Sequence, residues 1–377
     1  MTANKTVQKI LDRTVAGERL SDDDCLILLK SHDLTALGAA AHAVRMKKHP
    51  EPVVTYIVER NINYTNICTA DCDFCGFYAK AWDEEKSYVL PQEEIDQKIQ
   101  ELVAAEGKQI LLQGGLHPKF KLDWYEDMLR HMKDRFGIHL HAFSPPEIHW
   151  FAKINKMSLV DVLQRLHDAG LDSVPGGGGE ILVDRVRTAI TKNKCLTDEW
   201  LNVMRAAATV GMRGTATMMF GHVETLEERV EHLRRIREVQ DECGVFTAFI
   251  DWTYQQSPEL RLQCETVDSF EYLKMTAIAR LYLDNIENIQ SSWVTQGGKI
   301  GQVSLFYGCN DMGSTMMEEN VVSAAGTVFA LDADEIERLV KDAGFIPKRR
   351  NFYYDDTDEP RRKHLNEEQS VASTPTA

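Results

Sequence analysis

The 377-residue chain has no long run of apolar residues and comparatively few basic side chains. No stretch approaches the ~20 consecutive apolar residues of a membrane-spanning helix, and the polar start, Met1–Lys5, does not lead into the apolar core of a signal peptide. Lys and Arg number 43 against 58 Asp and Glu, which gives a formal charge of −15. This acidic balance argues against nucleic acid or an anionic membrane as the main partner. We therefore expect a cytoplasmic protein that has neither of them as a partner.

The eight cysteines are clustered once and otherwise scattered, which is not the pattern of a disulfide framework. Cys68, Cys72 and Cys75 are spaced Cys-x3-Cys-x2-Cys, with Phe74 directly before the last. A compact loop with this spacing can direct three thiolates to one iron–sulfur cube and leave its fourth iron open to a small molecule. A structural zinc site would need four nearby ligands, and no other cysteine or histidine lies within about 40 residues after Cys75. Three inert, buried cysteines are the other alternative. We favour the iron–sulfur cluster.

From Val53 onward, apolar runs typical of strands alternate with amphipathic patterns typical of helices. Eight strands in this rhythm predict an α/β fold of the (β/α)8 barrel type over residues 51–350. The predicted strands are Val53–Val58, Ile110–Leu112, Ile138–Phe143, Leu171–Pro175, Thr215–Phe220, Phe246–Ile250, Ile289–Val294 and Val303–Phe306. We expect residues 1–50 to form an N-terminal helical extension and the polar residues 351–377 to form a disordered tail.

In such barrels the loops after the strands converge on one face, which carries the active site. The polar and glycine-rich segments of this chain follow the predicted strands. They contain Gln113, Gly114, Gly115 and His117 after the second strand, Ser144 after the third, Glu180 after the fourth, Glu224 after the fifth, Asp251 after the sixth and Asp311 after the eighth. A single glycine-rich turn is more often structural than functional, and Gly176–Gly179 lacks the spacing of a dinucleotide site. Because the loops that contain these residues share one face of the predicted barrel, we take the residues as candidates for the active site.

The cysteine spacing together with Phe74 resembles the signature of the radical S-adenosylmethionine (SAM) enzymes. The resemblance implies that Cys68, Cys72 and Cys75 hold a [4Fe-4S] cluster, whose open iron chelates SAM. Reductive cleavage of SAM would then give a 5′-deoxyadenosyl radical that abstracts hydrogen. The resemblance further implies that Phe74 packs on the adenine and that Glu224, in the turn after the fifth strand, lies near it.

Gly114 and Gly115 resemble the turn that lines the amino group of SAM in this family, but Leu116 replaces the acid of that turn. Another acceptor for the amino group is therefore needed. Our candidates are Gln113, Ser144 and Glu180.

Longer segments of the sequence resemble a smaller group within this family. Residues 63–66, 113–118 and 139–148 are similar to a branch that holds the futalosine-pathway enzymes of menaquinone synthesis and the synthases of the deazaflavin chromophore. Within this branch, residues 175–182, 217–225 and 292–297 resemble the cyclic dehypoxanthine futalosine synthases. The likeness covers roughly residues 50–345.

This narrower resemblance implies that hydrogen is abstracted from C4′ of the ribose of dehypoxanthine futalosine, and that the ribosyl radical then attacks the benzoate ring. Restoring aromaticity requires a base within hydrogen-bond reach of the ring proton, and His117, Asp251 and Asp311 are candidates. The resemblance also implies an electron donor for the cluster, such as flavodoxin or ferredoxin. Competing interpretations are an aminofutalosine synthase, a deazaflavin-chromophore synthase subunit and a non-catalytic iron–sulfur carrier.

Overall fold

The structure, a computed structural model, describes residues 2–320, 323–326 and 329–355. Strands and helices alternate along most of this part of the chain. The strands are β1 Val53–Ile57, β2 Glu59–Asn63, β3 Gln109–Gln113, β4 His139–Ala142, β5 Ser173–Val174, β6 Arg213–Phe220, β7 Phe246–Thr253, β8 Asn288–Gln290, β9 Asp311–Ser314 and β10 Ile346–Arg349. The helices are α1 Thr2–Ala16, α2 Asp22–Leu29, α3 Leu34–Lys48, α4 Gln92–Ala104, α5 Leu122–Phe136, α6 Pro145–Asn155, α7 Leu159–Asp168, α8 Asp184–Ile190, α9 Thr197–Thr209, α10 Leu226–Cys243, α11 Ser269–Tyr282, α12 Trp293–Ser304 and α13 Ala333–Asp342.

The strands form one parallel sheet, in which β2 to β9 follow each other in chain order. The stretch 53–63 closes this sheet, because β1 pairs with β9 while β2 pairs with β3. The segment after β9 continues along β2, where the Asn61 amide donates to the Met317 carbonyl (3.0 Å). β1 and β2 are therefore two halves of one strand position, and β10 is added beside β1. The predicted (β/α)8 barrel is confirmed.

The predicted position of the eighth strand is wrong. Val303–Phe306 lies in the last residues of α12 and the turn that follows, and β9 supplies the eighth strand instead. A run of four apolar residues is too short for periodicity to separate a strand from a helix end. The predicted strand Ile289–Val294 is also shortened, because α12 begins at Trp293. Asp311 consequently begins a strand, at the opposite end of the barrel from the loops that follow the strands.

The three N-terminal helices pack on the outside of the barrel, with α3 against α11 and α2 against α10. The buried guanidinium of Arg45 in α3 donates to the carbonyl of Val53 at the start of β1 (2.7 Å). Leu28 and Leu37 are fully buried in the same core as the barrel residues. Burial of each such leucine contributes roughly 1.5–3 kcal/mol, so the extension is joined firmly to the barrel wall. Among the described helices, none combines the length and the apolar character that crossing a membrane requires.

Successive side chains of a strand face opposite sides of the sheet. Tyr56 and Tyr64 face outward, since they contact Glu337 of α13 and Tyr125 of α5. The alternate positions of the same stretch therefore face the barrel interior, and they are mostly polar: Thr55, Glu59, Asn61 and Asn63.

Residues 350–355 enter the amino end of the barrel. The Arg350 guanidinium pairs with the Asp311 carboxylate (Nε–Oδ2 2.5 Å, Nη2–Oδ1 3.0 Å), and the ring of Phe352 stacks on His139 at 5.3 Å between centroids. Removing one partner of such a buried pair costs about 3–5 kcal/mol, so this segment belongs to the barrel. The predicted tail, residues 351–377, begins inside it, and residues 356–377 lie outside the described part of the chain.

Candidate active site at the carboxyl end of the barrel

The cluster loop, which we define as residues 64–79, follows β2 at the carboxyl end of the barrel. Its two arms are bonded to each other, because the Cys68 amide donates to the Ala79 carbonyl (3.0 Å) and the Ala79 amide donates to the Asn66 carbonyl (2.8 Å). The Thr69 amide donates to the carbonyl of Leu116 in the loop after β3 (3.2 Å). These bonds hold the three clustered cysteines on one compact loop above the barrel.

Cys68, Cys72 and Cys75 are free thiols, and Cys72 is buried while the other two are half-buried. Burial raises the pKa of all three thiols, and the nearby ammonium of Lys194 acts in the opposite direction on each. The Ala70 amide donates to Sγ of Cys68 (3.4 Å). The three thiols therefore share a sheltered environment that contains a fixed cation and backbone donors.

Asp71, between the first two of these cysteines, anchors the outer side of the cluster loop. Its carboxylate contacts Lys80 (3.2 Å), Lys192 (3.1 Å) and Arg261 (2.9 Å), and it accepts a hydrogen bond from Tyr78 (2.9 Å). Burial alone would raise the pKa of Asp71, but the hydrogen bonds from Lys192, Tyr78 and Arg261 lower it well below its usual range. The carboxylate therefore stays ionised and ties the loop to two distant segments, at Lys192 and at Arg261. Asp71 also has a left-handed backbone conformation (φ 56°).

The turn at Gly114 and Gly115 supports the cluster loop directly. A Cβ on Gly115 would overlap the carbonyl of Ile67 and come within 2.8 Å of the Cβ of Cys68. A Cβ on Gly114 would press into the ring of Tyr64 (2.5 Å). Only glycine leaves room for this approach, because any other residue would displace the backbone beside Cys68.

Glu147 is a buried carboxyl group beneath this turn that the sequence analysis did not select. Tyr64 and the Gly114 amide donate to its Oε1 (2.7 and 3.0 Å), and the amide and hydroxyl of Ser144 donate to its Oε2 (2.8 and 2.6 Å). Burial raises its pKa to about 6, although these hydrogen bonds act in the opposite direction. The sequence contained a signal for it, since Ser144-Pro145-Pro146-Glu147 is a capping box at the start of α6.

Gln113 and Ser144 are brought together at the glycine-rich loop after β5. A Cβ on Gly177 would lie 2.5 Å from Nε2 of Gln113 and 3.4 Å from the Cβ of Ser144. The close approach of this loop thus requires glycine, and it places both predicted residues on the carboxyl face. The Ser144 hydroxyl is already used as a donor to Glu147.

Glu180 lies on the same face and forms a buried ion pair with Lys194 (Nζ–Oε1 2.7 Å). Burial lowers the pKa of Lys194, but the carboxylate of Glu180 and a thiolate at Cys72 raise it above its usual value overall. The ammonium also lies 5.2 Å from the centre of the Phe74 ring. Lys194 thus joins Glu180, Phe74 and the thiols into one cluster. Sequence reasoning missed it because nothing distinguishes it from the other lysine of the polar stretch 191–194.

Glu224 is fully enclosed in the turn after β6. It accepts hydrogen bonds from the amides of Gly221 (2.6 Å) and His222 (3.0 Å) and pairs with Arg229 (2.9 Å). Burial raises the pKa of Glu224, but His222 and Arg229 lower it below its usual value. The carboxylate therefore shapes the turn, whose backbone borders the carboxyl face.

The three base candidates occupy different places. His117 lies in the loop after β3, where its Nδ1 accepts from the amides of Lys119 and Phe120 (both 3.3 Å) and its ring stacks on Phe120. Burial lowers the pKa of His117, and an Nδ1 that accepts these two hydrogen bonds carries no proton. To accept a proton at Nδ1, the ring would have to release both amides.

Asp251 and Asp311 lie away from the carboxyl face. Asp251, in β7, accepts a hydrogen bond from Thr276 of α11 (3.0 Å), so it faces the layer between the sheet and the helices. The alternate residue Trp252 faces the interior. Asp311 is at the amino end, in the ion pair with Arg350. The structure thus separates the three residues from one another.

Comparison with known proteins matches residues 62–236 to the radical SAM superfamily and residues 243–363 to the CofH/MqnC C-terminal region. A cyclic dehypoxanthine futalosine synthase of Halalkalibacterium halodurans is 47% identical over 93% of this chain and 95% of the relative. This chain belongs to the cyclic dehypoxanthine futalosine synthase family of radical SAM enzymes. The aminodeoxyfutalosine synthase of Thermus thermophilus is also similar to this radical SAM enzyme, at 37% identity over 92% of this chain and 94% of the relative.

The fold of the radical SAM enzyme also matches that of solved structures. The crystal structure of methylornithine synthase (PylB) has a TM-score of 0.72 and 19% identity, and the match covers 90% of this chain and 97% of the other. At this identity the likeness concerns the fold alone. It agrees with the barrel described above.

Radical SAM enzymes use a [4Fe-4S] cluster and SAM. The residues of the cluster loop fit such a cluster, because three reduced thiols, a backbone N–H directed at sulfur and a buried ammonium are found together there. Among the described residues, no three His, Cys, Asp or Glu side chains are grouped closely enough for one metal ion. Three thiolates that hold a four-iron cluster would each bind a different iron, so Cys68, Cys72 and Cys75 need not surround a single point.

Proposed function

We propose that this radical SAM enzyme cyclises dehypoxanthine futalosine to cyclic dehypoxanthine futalosine, a step of menaquinone synthesis. The observation that carries the proposal is the 47% identity to a cyclic dehypoxanthine futalosine synthase over nearly the whole length of both chains. The identity to an aminodeoxyfutalosine synthase over a similar length is 37%. The lower value favours the cyclase over its sister enzyme.

Cys68, Cys72 and Cys75 would hold the [4Fe-4S] cluster, each through its thiolate. The cluster and SAM, when bound, supply an electron and a 5′-deoxyadenosyl radical that removes hydrogen from C4′ of the substrate ribose. Gly115 supports this role by admitting the backbone of the cluster loop at close range. The apolar residues packed around the thiols, such as Leu116 and Phe74, would keep water from the reacting atoms.

Glu180 and Lys194 are suited to the amino acid end of SAM, which carries one ammonium and one carboxylate. The Glu180 carboxylate would accept from the ammonium, and the Lys194 ammonium would donate to the carboxylate. The two side chains are buried and lie 2.7 Å apart. They therefore present one negative and one positive charge side by side, as the ammonium and the carboxylate of SAM require. This arrangement would take the place of the acid that the turn lacks at position Leu116. Gln113 and Ser144 line the neighbouring glycine loop. Phe74 and the backbone of the Glu224 turn would lie near the adenine.

The polar inward face of β2 is suited to the substrate hydroxyl groups. Asn61 is buried, and its Nδ2 donates to Oδ1 of Asn63 (3.3 Å). Its own Oδ1 has no hydrogen-bond partner among the described residues. A buried acceptor without a partner costs about 1–3 kcal/mol, and a ribose hydroxyl bound beside it would remove this cost. Trp252 on β7 faces the same interior and offers an aromatic surface to the benzoate ring.

The base remains a prediction for His117, Asp251 and Asp311. Of these, His117 is on the carboxyl face, and it could act only after releasing the amides of Lys119 and Phe120. The ion pair of Asp311 and the outward position of Asp251 argue for structural roles. Variants with Asn or Gln at each position would show which one is required after hydrogen abstraction.

Product analysis under anaerobic conditions tests the proposal. The enzyme, reconstituted with iron and sulfide, would be incubated with dithionite, SAM and dehypoxanthine futalosine and followed by mass spectrometry. We expect 5′-deoxyadenosine and a substrate product lighter by two hydrogen atoms. 5′-Deoxyadenosine with unchanged substrate would instead direct the assay to the substrates of aminofutalosine synthase and of the deazaflavin-chromophore synthase. Intact SAM under all conditions would favour the iron–sulfur carrier.

A further inference from the structure

A groove lies outside the barrel, directly beside the cluster loop. One cavity of the groove has a volume of about 470 Å³ and runs between α6 and the segment 192–199. Thr69 of the cluster loop forms one end. A second, adjoining cavity extends the groove along α6 as far as Leu159.

The groove is rich in lysine, although the chain carries a net charge of −15. Lys153, Lys156, Lys192 and Lys194 line it together with Glu199. Lys192 and Lys194 are paired with Asp71 and Glu180, so the charge that the groove offers to a partner comes mainly from Lys153 and Lys156. Lys153 and Lys156 are exposed and make no ion pair with any described residue. A concentration of one sign of charge in a cleft attracts ligands of the opposite sign.

The floor of the groove is apolar and adjoins the thiols. Trp150 lines the groove and packs against the small apolar cluster formed by Ala70, Cys72 and Leu116. Leu196, at the rim, is 41% exposed. The wall formed by residues 192–199 is bonded to the cluster loop, since the Asn193 amide donates to the Ala70 carbonyl (3.1 Å). An apolar centre within a charged rim is the usual composition of a protein–protein interface.

We infer that this groove, which we call the lysine groove, docks a small acidic electron-transfer protein of the flavodoxin type. The inference rests on the proposed function, because only a cluster that must be reduced needs such a partner. One electron would pass from the reduced flavin of the partner to the cluster, so that the partner is oxidised by one electron and the cluster is reduced by one. No proton or further reactant is needed for this step. The lysines orient the acidic partner, and Trp150 lies between the groove and the apolar cluster that contains Cys72.

The test is charge reversal at the two lysines that have no ion-pair partner. The double variant Lys153→Glu/Lys156→Glu leaves the cluster loop and the Glu180–Lys194 pair unchanged. Its control is Lys9→Glu/Lys108→Glu, which alters the net charge equally at two exposed lysines outside the groove. Binding of oxidised flavodoxin to each reconstituted enzyme would be measured by calorimetry at low and high salt. Cleavage of SAM would then be measured with reduced flavodoxin and, separately, with dithionite.

We expect charge reversal in the groove to raise the Kd for flavodoxin about tenfold at low salt, since electrostatic steering of this kind changes association by one to three powers of ten. High salt should remove most of the difference between variant and control. Dithionite-driven cleavage should be equal in both. If the groove variant binds flavodoxin as tightly as the control variant does, the docking assignment is refuted. Loss of dithionite-driven cleavage in the unmodified enzyme would count against the proposed function instead, because the binding measurement does not depend on it.

Discussion

Replacing Asp251 by Asn should stabilise the folded protein much more at pH 8 than at pH 5. Asp251 is fully buried between β7 and α11, and its carboxyl group has Thr276 as its partner at Oδ2. The other oxygen, Oδ1, has no hydrogen-bond partner among the described residues. Burial in this position raises the pKa of Asp251 from its ordinary 3.8 to about 7.

The magnitude follows from the difference between the two pKa values. A carboxyl group whose pKa is raised on folding contributes its full stability below the unfolded value and loses it as the pH rises toward the folded value. Over the whole interval from 3.8 to about 7, the loss is about 4 kcal/mol at 1.36 kcal/mol per pKa unit. Between pH 5 and pH 8 it is about 3 kcal/mol on the same basis. Asn does not ionise, so Asp251→Asn should not show this loss.

The measurement is urea unfolding of the reduced apoenzyme and of the variant at both pH values, followed by circular dichroism. Asp127→Asn is the matched control, because the Asp127 side chain is 80% exposed. A stability difference between Asp251→Asn and the unmodified chain that is the same at pH 5 and pH 8 would refute the reasoning. The reconstituted variant should also still form product. If it cleaves SAM but forms no cyclic product, Asp251 is the base and its outward position has been misjudged.

Three further predictions concern the carboxyl face. Replacing any one of the three cluster-loop cysteines by Ala should abolish SAM cleavage because the cluster loses a ligand, whereas Cys243→Ala should keep full iron content; activity in any of the loop variants would contradict the ligand assignment. Gly115→Ala should lower the iron content on reconstitution, since the added Cβ overlaps the carbonyl of Ile67; iron analysis equal to that of the unmodified chain would speak against this. Lys194→Met should weaken SAM binding by about tenfold or more, as expected for the loss of a charged hydrogen bond. Equilibrium dialysis would measure this, with the exposed Lys299 as the control position.

The barrel could be predicted because its signal is distributed over many residues. Seven of the predicted strands overlap strands of the structure, since buried apolar runs separated by amphipathic helices repeat along residues 53–290. The eighth failed at Val303–Phe306, where four apolar residues complete a helix. A short run carries too little periodic information, and its state is decided by what packs against it.

The side-chain partners of the site were not predictable in the same way. Lys194 and Glu180 are separated by 14 positions along the chain, and their pairing depends on how the loop after α8 folds back over the glycine loop. Glu147 had a capping signal, but only the structure shows that the same carboxyl group also holds Tyr64 and Gly114. Distances between segments that are remote in sequence are set by packing, which no local pattern records.

The barrel class and the three-cysteine loop can be predicted from the chain alone, because hydrophobic period and ligand spacing are local properties of the chain. Tertiary structure alone decided which side of a strand Asp251 faces and at which end of the barrel Asp311 lies. It also decided that Lys153 of α6 and the two lysines of residues 192–194 line one groove beside the cluster loop. The side of a strand that a residue faces, the partner it pairs with and the groove it lines depend on strand register and on the closure of the barrel through residues 53–63. Register and closure arise only when distant segments pack together.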